Sequence, residues 1–336
     1  MELTIETRGL TRLFGSRRVI DDLRLEVPRG TVFGFLGQNG AGKTTTMRLI
    51  LGLIAPSAGE VLLFGKPLER PLLARTGALV ESPGFYPFLS GRKNLVLLAR
   101  ATGRVAEPEK AADVALRAVE LEDRGADLYG TYSRGMKQRL GIAWAILGKP
   151  ELILLDEPLN GLDPPAVLRV RSLISDLAKE GATVFLSSHL LHEIELGCDR
   201  VAIIDRGRLI SQGSVSELLQ TGRATFEVEV QDLEGAAAVA RALPFVREAR
   251  VEASSQERRV VGGAEPVAGG PGRAPRSERA QVLVIELESE RAADLNRALV
   301  EKGHAPASLV PRRRTLEELY HTRVAESRHV PVPGAS

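Results

Sequence analysis

The chain has 336 residues, 43% of them apolar and 26% charged, with a net charge of +2 and a single cysteine, Cys198. That length suggests two domains, each able to bury a core. The near-neutral charge gives no support to a protein that coats nucleic acid, and one cysteine excludes an internal disulfide framework or a cysteine-rich zinc site and fits a reducing cytosol.

The N-terminus, "MELTIETRGL", carries acids early and does not read as a signal peptide. Apolar runs such as "LILL" and "GIAWAIL" fall short of the roughly 20 residues that cross a bilayer. "ELTIETRGLTRLFG" and "VIDDLRLEV" alternate apolar and polar residues, the period of strands in an antiparallel sheet. "GTVFGFLG" predicts a buried strand running into a glycine-rich loop, "KTTTMRLILGLI" a helix and "GEVLLFG" a short strand. From 90 to about 128 the pattern turns helical, in "SGRKNLVLLARATG" and "EPEKAADVALRAVEL". "SRGMKQRLGIAWAILG" is a further helix that starts at a serine cap and stops at glycine.

Strands and helices then alternate. "ELILLDEP" and "ATVFLSSH" read as buried strands, "PPAVLRVRSLISDLAKEG" and "LLHEIELGC" as helices, and "RVAIIDRGRLISQG" as a hairpin. This alternation predicts a parallel sheet with helices on its faces. The composition shifts near Gly222. "ATFEVEV", "FVREARVEA" and "AQVLVIELE" read as three strands, and "LEGAAAVARAL" and "ERAADLNRALVEKG" as two helices, together a small α+β module. "GGAEPVAGGPGRAPRSE" reads as a flexible insertion, and "VPVPGAS" as a frayed tail. The expected domains are 1–221, then 222–325 with the insertion at about 254–280, then a disordered tail, 326–336. With no internal repeat, the chain is expected to carry one nucleotide domain.

"GQNGAGKTT", Gly37 to Thr45, follows a strand and opens a helix, and it satisfies G-x-x-x-x-G-K-[ST]. Gly37, Gly40 and Gly42 let the backbone turn and aim N–H groups inward. Lys43 is expected to reach the β- and γ-phosphates and the Thr44 hydroxyl to ligate Mg²⁺. "LILLDEP" places Asp156 and Glu157 at the C-terminal end of a buried strand, where ligands bind in open α/β sheets. Asp156 is positioned to hold the metal and Glu157 to deprotonate an attacking water. "TYSRGMKQRLG" makes a second bare helix N-terminus at Ser133, favourable to an anion. His192 and Glu193 read as a solvated helix face, and His304 and His321 are isolated, with no metal-ligand spacing.

With these residues in place the sequence resembles the ATP-binding cassette family, the ATPase subunits of membrane transporters, over residues 3 to about 220. "GQNGAGKTT" and "LILLDEP" are similar to its two Walker motifs, "YSRGMKQRL" to its signature motif, "NGLDP" to its D-loop, and His189 in "LSSH" to its switch histidine. The resemblance implies an α/β P-loop NTPase domain with an antiparallel β subdomain and a helical subdomain, followed by a small α+β C-terminal accessory domain. It implies ATP and Mg²⁺ as ligands, with Phe14 stacking on adenine and Gly37, Asn39, Gly40, Ala41, Gly42, Lys43, Thr44 and Thr45 binding nucleotide. Glu157, His189 and Lys43 would be catalytic, and Thr44 and Asp156 would hold the metal. It further implies a homodimer or pseudo-dimer in which Ser133 and Gly135 close over the γ-phosphate of the facing copy.

Two positions depart from the family pattern. Arg134 replaces the first glycine after the signature serine. Glu81 stands where the family usually has glutamine, and a glutamate there would ligate Mg²⁺ with a full charge. "ESPGFYP" resembles the bacitracin- and lantibiotic-exporter-like branch, and "RRRTLEELYHTRV" resembles the ending of multidrug-export-like ATPases. Phe85, Tyr86 and Phe88 follow Glu81 where the family docks a permease's coupling helix. The resemblance thus implies an ABC-2-type ATPase that drives a separate membrane permease and exports a drug, peptide or lipid-like molecule. Such a subunit would be cytoplasmic, held to the inner face of the cell membrane through the permease, with no nucleic-acid partner. Polysaccharide export, metalloenzyme maturation and a soluble non-transport ATPase stay open as alternatives.

Overall fold

Alternating burial makes the N-terminal third an antiparallel sheet. β1 (Leu3–Phe14) carries Ile5 and Leu10 into the core, and it pairs with β2 (Arg17–Leu23) and β3 (Glu26–Pro28). The structure is a computed structural model that describes residues 2–80, 84–103, 105–219, 223–253, 281–312 and 315–329. β4 (Val32–Leu36) is buried at every position, as a strand covered on both faces must be. It leads into α1 (Lys43–Ile50), followed by β5 (Ala58–Leu63), β6 (Lys66–Pro67), α2 (Arg70–Leu73) and β7 (Thr76–Leu79). Two helices follow, α3 (Gly91–Thr102) and α4 (Pro108–Ala118), then α5 (Arg134–Ala145). The chain returns through β8 (Leu152–Leu155), α6 (Pro164–Lys179), β9 (Thr183–Ser188), α7 (Leu191–Gly197) and the hairpin β10 (Arg200–Asp205) and β11 (Arg208–Ser214) to α8 (Val215–Leu219).

Among the described residues, β11, β10, β4, β9, β8 and β7 form one sheet in that order, parallel except for β11. β2, β1, β5 and β6 form the antiparallel sheet, with β3 also on β1. The core between the sheets joins Ile5, Leu10, Met47 and Leu154 to Phe33, Phe35 and Phe185. The Phe185 ring centroid lies 5.8 Å from that of Phe33 and 5.3 Å from that of Phe35. This apolar layer holds the ends of β4, β8 and β9 side by side, which fixes where the loops that leave them meet.

The chain divides into two compact units, Met1–Leu218 with Thr315–Ser336, and Leu219–Arg314. In the second, β12 (Arg223–Glu229), α9 (Leu233–Arg241), β13 (Val246–Ala253), β14 (Gln281–Glu288), α10 (Ala292–Glu301) and β15 (Ser308–Arg312) follow in order. The sheet runs β13-β14-β12-β15, and Phe226, Ile285, Ala237, Leu295 and Leu299 form its core against the helices. The sequence predicts only three of these strands. β15 escaped notice because it has five residues and contains Pro311. An edge strand tolerates proline because one side of its backbone has no ladder to complete.

α11 (Leu316–His329) lies in the first unit, against α7 and β11. Leu316, Leu319, Tyr320 and Val324 are buried, and the Leu316 N–H donates to Glu195 Oε2 at 3.0 Å. The expected accessory domain therefore gives up its last segment, 315–325, to the first unit. The spacing of those four residues announces a buried helix face but not the surface that buries it. The expected insertion, 254–280, and the end of the expected tail, 330–336, lie outside the described residues.

Candidate functional site

The site begins where β4 ends. The chain turns at Gly37 and reaches α1 through Gly42, whose φ of 111° favours glycine. A Cβ there would also meet Ile20 Cδ1 at 2.6 Å. Gly42 caps α1 without a side-chain hydrogen bond, and the first turn holds no acidic residue. The helix therefore presents bare N–H groups and the positive end of its dipole. The hairpin turn between β10 and β11 braces the loop, the Gly207 N–H donating to the Ala41 carbonyl at 2.9 Å.

Lys43 is 7% exposed, so its charge needs partners. Its Nζ donates to the Gly37 and Gln38 carbonyls at 2.6 and 3.4 Å and lies 3.3 Å from Glu157 Oε1. The Thr44 hydroxyl donates to Asp156 Oδ2 at 2.6 Å. A hydroxyl and a carboxylate this close form an oxygen donor set suited to a hard divalent cation. The buried lysine and bare amides likewise suit the phosphates of ATP.

β8 is buried throughout and delivers Asp156 and Glu157 at its end. Glu157 has φ 48°, a left-handed conformation unusual for a non-glycine residue. It is held by a hydrogen bond from its N–H to Ser187 Oγ at 2.9 Å and by Gln138 Nε2, which donates to its carbonyl at 3.3 Å. The Ser187 hydroxyl in turn donates to Asp156 Oδ1. His189 follows β9, with Nδ1 2.8 Å from Glu157 Oε2. Three segments distant in sequence thus converge on two carboxylates.

A cavity of about 350 Å³ opens over these groups, lined by Phe14, Asn39, Gly40, Thr45, Lys43 and Glu157 among others. Phe14 is 45% exposed, with the Arg12 guanidinium 4.6 Å over its ring. Arg17, Val19, Gln38 and Arg48 line the same cavity and were not singled out from the sequence. Gln38 lies inside the phosphate-loop motif, whereas Arg17, Val19 and Arg48 are marked only by their approach in space, from β2 and α1. Ser187 and Gln138 lie inside quoted motifs, but only the fold shows what their side chains bind. Gly37 contributes its carbonyl to Lys43 rather than a surface of the cavity. The Ala41 side chain is in the core and its N–H donates to the Gln38 carbonyl at 3.1 Å.

Ser133 caps α5, its Oγ accepting the Met136 N–H at 3.2 Å. Ser133 and Gly135 do not line the cavity. Of the three expected docking aromatics, Phe85 is corrected: it is 7% exposed and packs edge-on against Tyr129 at 5.0 Å, a core contact. Tyr86 and Phe88 are 44% and 69% exposed and touch one another. Buried Asn94 on α3 holds their loop, accepting the Tyr86 N–H at 2.8 Å and donating to the carbonyls of Tyr86, Leu89 and Ser90. Glu81, the expected additional metal ligand, lies outside the described residues. Cys198 is half-buried, and its desolvation pushes the thiol well above the ordinary range, which disfavours a thiolate.

Comparison with known proteins agrees with this geometry. Residues 20–160 match the family described as ABC transporter. The chain is 44% identical over 236 residues to the bacitracin transport ATP-binding protein BcrA of Bacillus licheniformis, covering 69% of this chain and 76% of that one. It is 31% identical over 334 residues to the daunorubicin resistance ATP-binding protein DrrA3 of Streptomyces coeruleorubidus, covering 98% of both. A solved ATP-binding subunit of an ABC transporter superposes with a TM-score of 0.59 at 32% identity, covering 64% of this chain and 91% of that one. The phosphate loop, the paired carboxylates and these likenesses together place the chain in the ABC transporter family, as one of its ATP-binding, ATP-hydrolysing proteins.

Proposed function

We propose that this ATPase works as a head-to-tail pair that powers export of a drug or peptide through a separate membrane permease. The observation that carries the pairing is that Ser133 and Gly135 stand apart from the chain's own cavity. A helix N-terminus with no acidic residue in its first turn suits a phosphate held by a facing copy. Relatives named for bacitracin transport and for daunorubicin resistance support a drug or peptide as the cargo. No helix among the described residues is long and apolar enough to cross a membrane, and the relatives' names as ATP-binding proteins of transport support a separate permease. Exposed Tyr86 and Phe88 would meet that permease and hold the protein to the inner face of the membrane.

In hydrolysis, Glu157 accepts a proton from the attacking water, while His189 orients the carboxylate from its other side. Lys43 exchanges its bonds to the Gly37 and Gln38 carbonyls for phosphate oxygens. Thr44 and Asp156 would hold Mg²⁺, which neutralises the charge of the phosphates. The new bond forms between the water oxygen and the γ-phosphorus. The bond to the β-phosphate oxygen breaks, leaving ADP and phosphate.

The test is sedimentation of the Glu157→Gln protein, which keeps the site but lacks the base. ATP with Mg²⁺ is expected to convert it to a dimer, and ADP is not. A Glu157→Gln chain that stays monomeric with ATP, alone and with its co-purified membrane partner, overturns the pairing.

A further inference from the structure

The start of α5 lies against the segment that follows Glu157. Gln138 Nε2 donates to the Glu157 and Pro158 carbonyls at 3.3 and 3.1 Å. A Cβ added to Gly135 would touch Leu162 Cδ2 at 3.6 Å. Arg134 lies across Gly161: a Cβ on that glycine would fall 2.7 Å from Arg134 Nε and 3.1 Å from both Cδ and Cζ. Gly161 has φ 78°, which favours glycine by itself, and the arginine occupies the space a side chain there would need.

This placement is not what an arginine in a first helical turn gains by default. Its charge opposes the positive end of the helix dipole, and an exposed side chain is better solvated when it extends into water. Here the side chain folds back over backbone. A planar guanidinium is weakly hydrated and packs flat, so it can cover a glycine where an ammonium would not.

We propose that Arg134 is a positioning residue, matched to Gly161, that binds the 160–164 loop to the first turn of α5. Ser133 and that loop then move as one body with Glu157 of the same chain. The replacement of a signature glycine by arginine is thereby matched by a glycine in the loop opposite it. The inference rests on the paired reading above, in which Ser133 serves the facing copy's nucleotide. Under it, the Arg134–Gly161 contact sets the register between the residues that act in the chain's own site and those that act across the interface.

A double-mutant cycle on the full-length chain tests this, using Arg134→Ala, Gly161→Ala and the double variant. ATP-driven dimerisation is measured in the Glu157→Gln background, and the dependence of ATPase rate on ATP concentration in the parent. Each single substitution is expected to weaken dimerisation by about fivefold to tenfold and to lower the cooperativity of hydrolysis. The double variant is expected to lose less than the product of the two single losses, because trimming Arg134 removes the clash that an alanine at Gly161 makes with it, while the strain at φ 78° stays. Losses that multiply, or an Arg134→Ala protein with unchanged dimerisation and cooperativity, overturn the proposal. Should Gly161→Ala fail to fold, Arg134→Lys replaces it: an ammonium does not cover Gly161, so it is expected to lose nearly as much as alanine, whereas a lysine variant within about twofold of the parent overturns the proposal. A Glu157→Gln parent that never dimerises sinks the paired reading and this inference together. A parent that dimerises while the losses multiply sinks this inference alone.

Discussion

Glu157 bridges two side chains of the site: Oε2 lies 2.8 Å from His189 Nδ1 and Oε1 lies 3.3 Å from Lys43 Nζ. One carboxylate thus ties the phosphate loop to the ends of β8 and β9. Its strained backbone keeps it aimed into the cavity, and the hydrogen bonds from Gln138 and to Ser187 hold that backbone in place.

Glu157→Gln is expected to lower kcat by about 10²–10⁴-fold, the usual contribution of a positioned base, while ATP affinity stays within about threefold. His189→Ala is expected to lower kcat as well, and the double variant to be little worse than Glu157→Gln, since both act on one proton transfer. Steady-state phosphate release and fluorescent-nucleotide titration measure the two quantities.

Ser187 is fully buried and serves both acidic residues, so its removal strands one oxygen of Asp156 and the N–H of Glu157. Ser187→Ala is expected to weaken the Mg²⁺ dependence of hydrolysis by about tenfold, as the loss of a group that orients a metal ligand does. A magnesium titration at saturating ATP reads this. An unchanged midpoint would show that Asp156 needs no such support.

Phe14 is exposed on one side and covered by Arg12 on another. Phe14→Ala is expected to raise the ATP dissociation constant by about 5- to 100-fold, from a stacking contribution of about 1–3 kcal/mol, and Phe14→Trp to retain binding. Loss of binding with tryptophan as well would mean that the ring packs rather than stacks.

Asp21 on β2 accepts from Arg18 at 2.7 Å and from Arg208 on β11 at 2.6 Å, joining the two sheets. Burial pushes its carboxyl up, but the bonds from Arg208 and Arg18 outweigh this and hold it below the ordinary carboxylate range. A lowered folded-state pKa stabilises the fold above the unfolded value, near 4, and that stabilisation is lost as pH falls through the lowered value. Asp21→Asn is therefore expected to cost about 1–3 kcal/mol at pH 7, the scale of hydrogen bonds to a charged group. The gap to the parent should narrow in thermal melts as the buffer is taken below about pH 4.

Tyr86 and Phe88 present an exposed aromatic pair on a loop fixed by Asn94. Replacing both with alanine is expected to move the chain from the membrane pellet to the supernatant of its native cells. A Phe85→Ala protein is expected instead to lose thermal stability, by about 3–5 kcal/mol, because its ring is core. Retention of the double variant at the membrane would remove this loop from the docking surface.

Much of the nucleotide site was legible because its chemistry is local. Gly42, Lys43 and Thr44 are adjacent, so strand, loop and helix follow from one short stretch. Asp156 and Glu157 announced themselves by ending an apolar strand. Ser187, Gln138, Arg17 and Arg48 were not legible. Each reaches the site from a different element, and even the motifs that contain Gln138 and Ser187 do not show which backbone or carboxylate these side chains meet. Phe85 was misread because an aromatic beside two exposed ones looks the same in sequence whichever way its ring turns. Here Tyr129, distant in the chain, decided that it turns inward.

By itself the sequence determined the kind of ligand and the elements that hold it, because turn chemistry and the period of apolar residues act over a few positions. The tertiary structure alone decided which carboxylate oxygen meets which cation, that α11 lies on α7, and that Arg134 covers Gly161. Those pairings join residues far apart in the chain, and only close packing of a shared core brings such residues within bonding distance.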